Sequence, residues 1–130
     1  MDVFVYGTLT APERASAVLD DWGFRGSARL DGLHVVEGRY PTLAPGGTTA
    51  GRILRTDDVD ALDAYEGVSA GLYVRIAVPR AEDGPALETY VGDPTRLGVA
   101  DDVSWPGTGP FPDRVSTYVD RHDIVVRPEE

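Results

Sequence analysis

The chain has 130 residues, among them 15 glycines and 10 prolines, and no cysteine. This length suits one domain over 1–130, the glycine and proline content favours short strands and turns over a helix bundle, and the missing cysteine excludes disulfides, thiol nucleophiles and thiolate metal sites. Twenty-two acidic residues against 12 arginines and no lysine give a net charge of −10, which repels nucleic acid and anionic membranes.

The opening MDVFVYG lacks the basic region of a signal peptide, and no stretch approaches the roughly 20 apolar residues of a membrane span. A cytoplasmic location is expected. Val3, Phe4 and Val5 form a short apolar run suited to a buried strand, and Gly7 lets the backbone turn after it. Thr10 and Glu13 have the spacing of a capping box, with Pro12 in the first helical turn. Ala15, Val18, Leu19 and Trp22 continue at helical spacing, and Gly23 is the expected stop. Such a strand-turn-helix junction is either a tight connection or a seat for a carboxylate or phosphate. The glycine signatures of nucleotide sites are missing from it, so no nucleotide is expected.

Downstream, ARLDGLHVV and TAGRILR read as strands, with EGRYPTLAPGG between them as an irregular loop. YVRIAVP alternates, placing Val74, Ile76 and Val78 on one face and Tyr73, Arg75 and Ala77 on the other. ALETYVG alternates as well, and the AEDGP turn between the two predicts a hairpin. In the tail, WPGTGPFP reads as irregular and RVSTYVDRHDIVVR as a short helix followed by a strand.

The helix in TDDVDALDAYEGVSAGLY carries an anomaly. Thr56 or Asp57 can cap it and Gly67 can end it in the left-handed conformation. Val59 and Leu62 set its apolar face, and the next position on that face is Glu66. Burial and the negative end of the helix dipole both raise the pKa of an inward carboxylate toward neutrality, where a general acid/base works best. The same spacing is compatible with a Glu66 that swings out at the helix end or pairs with Arg75.

Taken together, FVYGTL at Phe4 to Leu9, the Tyr40-Pro41 loop with the following TLAPG, and LDAYEG followed by YVR resemble the γ-glutamylcyclotransferase-like, or AIG2-like, family over roughly residues 2 to 92. The resemblance implies an α+β fold with a small mixed β-barrel and flanking helices. It also implies an intramolecular aminolysis in which the α-amino group of a small γ-glutamyl amine or peptide attacks its own γ-carbonyl, giving 5-oxoproline and a free amine. By that carry-over Glu66 is the catalytic acid/base. Tyr6, Gly7, Thr8 and Leu9 hold the γ-glutamyl group, and Tyr40, Pro41 and Tyr73 complete the substrate site. Ring closure needs no outside nucleophile, which agrees with the missing cysteine, and no cofactor is expected.

Thr10 departs from the family pattern, which often has a basic residue there. Tyr73 either donates to Glu66 or is partial core, and Arg75 on the same face is otherwise a surface ion pair. His34 and His122 show no ligand spacing, so no metal is expected, and Trp22 and Trp105 read as packing residues. Two other functions remain compatible with these residues: a non-catalytic binding module of the same fold, and an amide hydrolase in which Glu66 activates water.

Overall fold

Six strands and three helices are found among the described residues, 1–84 and 87–129, of the computed structural model. The apolar opening run is β1 (Asp2–Val5), buried along its whole length because it has a strand on either side. It pairs in parallel with β5 (Leu87–Gly92) and antiparallel with β3 (Thr42–Thr56). β3 forms a long antiparallel ladder with β2 (Trp22–Val36), and β4 (Tyr73–Val78) and β5 form the predicted antiparallel hairpin. Part of its connecting AEDGP turn, and the first residue of ALETYVG, lie outside the described residues. β6 (Val125–Pro128) pairs with β2, so the strand order is β4-β5-β1-β3-β2-β6.

The expected barrel is therefore an open mixed sheet. Among the described residues its two edge strands meet only through the single parallel bridge Arg80–Val126. Pro79 between β4 and that bridge has no N–H to donate and contributes only its carbonyl, which accepts from Val126 N. The core joins Phe4, Leu30, Leu33, Leu43, Leu54 and Leu62, and α3 (Phe111–Arg121) lays Val115 and Val119 onto it. Trp105 is buried edge-on against Phe111 and Tyr118, and Trp22 is half-buried beside Phe24; both are packing residues as predicted. The tail forms the expected helix and strand, with Phe111 and Pro112 of the irregular stretch already in the first helical turn.

Several local expectations are corrected. Thr10 caps nothing: its hydroxyl donates to Gly7 O at 2.7 Å and closes a 3-10 turn over Thr8–Thr10, while α1 (Pro12–Val18) starts from Ala11 without a side-chain cap. α1 also ends well before Trp22 and Gly23, which belong to β2 opposite Thr56 and Arg55. A distant contact overrides the helical spacing: the Asp58 carboxylate accepts from the N–H groups of Asp20 and Asp21, both at 2.9 Å. The stretch expected as a loop over 37–47 joins β3 from Thr42 onward, since a bulge between Asp31 and Leu33 and left-handed Gly46 and Gly47 let the ladder continue past Pro45. α2 (Val59–Tyr65) starts from Asp58 rather than from Thr56 or Asp57, whereas Gly67 adopts the predicted left-handed conformation at φ +67°.

Candidate active site

The loop after β1, the end of α2, the start of β4 and the Tyr40-Pro41 turn converge on one cavity of about 360 Å³. Every residue assigned to the site from sequence lines it: Tyr6, Gly7, Thr8, Leu9, Tyr40, Pro41, Glu66 and Tyr73. The loop is set by burial on one side and exposure on the other. Leu9 is 3% exposed and anchors in the core, while Thr8 faces solvent. The backbone N–H groups of Gly7, Thr8 and Leu9 have no protein acceptor among the described residues, the ordinary condition of the first residues of a helical turn. Gly7 has φ −118°, and a Cβ there would meet nothing closer than Pro41 Cγ at 3.9 Å. The expected turn after β1 is therefore made without a left-handed glycine.

Glu66 caps the C-terminus of α2, where its N–H donates to Leu62 O at 2.9 Å and Gly67 then turns the chain away. It is half-buried and, among the described residues, its carboxylate has no hydrogen-bond or ion-pair partner. Burial pushes its pKa up from 4.5 to about 7. Arg75, the partner that the sequence offers for it, instead binds Asp63 Oδ2 at 3.0 Å and Glu88 Oε2 at 3.5 Å.

Three tyrosines line the cavity together with Glu66, each fixed by a hydrogen bond. Tyr73 donates to Pro41 O, not to Glu66, and so ties the Tyr40-Pro41 turn to β4. Tyr6 donates to Tyr90 O at 2.6 Å, joining the loop to β5, and Tyr90 donates to Asp63 Oδ1 at 2.7 Å. Burial, and then the Glu66 charge, push the Tyr73 hydroxyl well above its ordinary range. Burial first, then Tyr73 and Glu66, do the same to Tyr6. These phenols stay neutral donors. A hydrogen bond of 2.6 Å between Thr8 Oγ1 and the Tyr65 hydroxyl connects the loop with α2.

Sequence reading missed Arg14, Tyr65, Leu72 and Tyr90, which also line the cavity. Tyr65 directly precedes Glu66, and Tyr90 lies within a recognised strand, so both had a positional signal. Arg14 had none beyond its place on the helix after the loop. His34 and His122 each bond a nearby backbone carbonyl, Gly46 O and Tyr118 O, and neither lines the cavity.

An open six-stranded mixed sheet flanked by three helices matches the gamma-glutamyl cyclotransferase fold. A structure described as gamma-glutamyl cyclotransferase superposes with a TM-score of 0.61 at 16% identity, covering 93% of this chain and 98% of that one. An uncharacterized protein from Homo sapiens superposes at 0.62 and 18%, over 92% and 97% of the two chains. In sequence, the chain is 33% identical over 117 residues to AIG2-like protein C of Arabidopsis thaliana, spanning 80% of this chain and 68% of that protein. The model of the gamma-glutamyl cyclotransferase, AIG2-like family matches residues 3–105, and the chain belongs to that family.

Proposed function

We propose that the protein converts a small γ-glutamyl amine or peptide to 5-oxoproline and a free amine, with Glu66 as the general acid/base. The observation that carries this reading is the unpaired Glu66 carboxylate, raised to about 7 and set in one cavity with the 6–9 loop. A carboxylate of that pKa can take a proton from the substrate ammonium near neutral pH. The freed α-amino nitrogen then attacks the γ-carbonyl carbon. The new C–N bond closes the ring, Glu66 gives its proton to the departing nitrogen as the amide C–N bond breaks, and the second proton of the ring nitrogen passes by way of the same carboxylate to the released amine, which leaves as an ammonium.

The free N–H groups of Gly7, Thr8 and Leu9 suit a carboxylate or the oxyanion that develops on the γ-carbonyl. A cavity of about 360 Å³ lies near the lower end of the range for small-molecule sites, in keeping with a small leaving group. Among the described residues Arg14 is the one basic side chain on the lining, and a carboxylate on the departing half would find its partner there.

The purified protein is to be incubated with γ-glutamyl amines, γ-glutamyl amino acids and glutathione, without added metal or cofactor. At least one should yield 5-oxoproline, and Glu66→Gln should lose on the order of 10²-fold or more of that turnover. Release of free glutamate instead would identify a hydrolase. A folded protein that turns over no member of the panel, or a Glu66→Gln variant as fast as its parent, would remove the cyclotransferase assignment.

A further inference from the structure

Asp63 and Glu66 stand three residues apart on α2, the spacing that brings side chains onto one helix face. Among the described residues, one of these carboxylates is surrounded by donors and the other has none. Asp63 takes Arg75 Nη1 at 3.0 and 3.1 Å on its two oxygens and the Tyr90 hydroxyl at 2.7 Å. Glu88 on β5 holds the same guanidinium at Nε, 3.5 Å away. Arg75 lies two residues beyond Tyr73 on β4, alongside the cavity that Tyr73 shares with Glu66. The separation of i and i+3 side chains, roughly 5–6 Å between Cβ atoms, is within reach of an arginine fork that has lost one of its carboxylates.

We propose that Asp63 is a positioning residue that acts through Arg75: together with Glu88 and Tyr90 it keeps the guanidinium occupied, so that no cation compensates Glu66. This rests on the reading of Glu66 as the proton carrier. An arginine beside Glu66 would hold it ionised and make it a poor acceptor for the substrate's proton at neutral pH. Burial raises the Glu66 pKa, and holding Arg75 on Asp63 and Glu88 leaves that effect uncompensated. Tyr6 from the loop after β1, Tyr73 from β4 and Tyr90 from β5 are neutral phenols with raised pKa values, while Tyr40 and Tyr65 sit at the exposed rim. Arg14 from α1 is solvent-exposed, where water screens its charge.

The test reads Glu66 directly, by carbon-13 NMR titration of the glutamate carboxyls in the full chain, with the Glu66 signal identified by its loss in Glu66→Gln. Asp63→Asn keeps the shape of the side chain and removes its charge, so the Glu66 midpoint should fall by about one pH unit. Asp63→Ser, which leaves a hydroxyl for Tyr90, should do the same, and thermal melting shows which variants are folded. Asp63→Asn combined with Arg75→Gln should return the midpoint to the parent value within a few tenths of a unit, which a purely structural role for Asp63 would not produce. A midpoint unmoved in the folded Asp63 variants, or one that stays low in the double variant, overturns the proposal. Because the titration needs no substrate, its outcome is independent of the product assay: a panel without 5-oxoproline removes the catalytic reading and leaves the charge relay to be judged on the midpoint alone.

Discussion

Glu66 is least stabilising in the ionised form that the proposed chemistry requires. Its carboxyl binds a proton more tightly in the folded chain, with a pKa of about 7, than at its ordinary value of 4.5. The folded state therefore holds more protons than the unfolded state between those values, and stability falls as pH rises through that window. Its place at the C-terminus of α2 adds the repulsion of the helix dipole. Glu66→Gln removes the titration. At pH 8 the variant should exceed its parent by about 2 kcal/mol, a figure reduced for the partial exposure of the carboxyl, and the gap should close by pH 4. Urea unfolding at both pH values measures this, and a gap that does not change between them would show Glu66 to be ordinary. The residue itself was legible, because Leu62 fixes the helical register and Glu66 follows four positions later. The partner of Arg75 was not: Asp63, Glu66 and Glu88 all carry the right charge, and only the packing of α2 against β4 and β5 selects between them.

Among the elements, β1 and β3 set the position of the 6–9 loop, and Gly51 sets how closely they approach. A Cβ on Gly51 would lie 2.3 Å from Val5 O and 2.7 Å from the Phe4 ring, so backbone as well as side chain would have to move. Val5 directly precedes the loop. Gly51→Ala is expected to cost about 2 kcal/mol of stability and to weaken substrate binding, as read by chemical denaturation and by KM. Unchanged stability would show that β1 has more freedom than its central place implies. Strands with clean alternation or apolar runs were legible at this scale, as were the β4–β5 hairpin and the helix and strand of the tail. The end of α1 was not, because Val18, Leu19 and Trp22 keep helical spacing while a carboxylate 37 residues away captures the intervening backbone. Nor was the start of β3, where proline and glycine describe a loop but a bulge and the long ladder to β2 carry the strand through.

For the molecule as a whole, family motifs and their order made the fold readable across most of the chain, whereas the openness of the sheet depends on how its two edges meet at Arg80 and Val126. The charge, by contrast, is visible in the sequence and acts over the entire surface. With 22 acidic residues against 12 arginines, pairing leaves a large excess of carboxylates to repel one another. Added salt has two opposing effects. It weakens exposed pairs such as Arg29–Asp31–Arg127, which contribute little, and reaches the part-buried Arg80–Asp2 pair at 2.9 Å less. It also shortens the range of the repulsion, from about 30 Å at 0.01 M to about 3 Å at 1 M. Relief of repulsion is the larger effect, so Tm should rise by several degrees as potassium chloride is raised from dilute buffer to about 1 M. A rise of that kind would make the arginine-only, aspartate-rich surface an adaptation to concentrated salt; a flat or falling Tm would leave a GC-rich genome as the simpler source of the same composition.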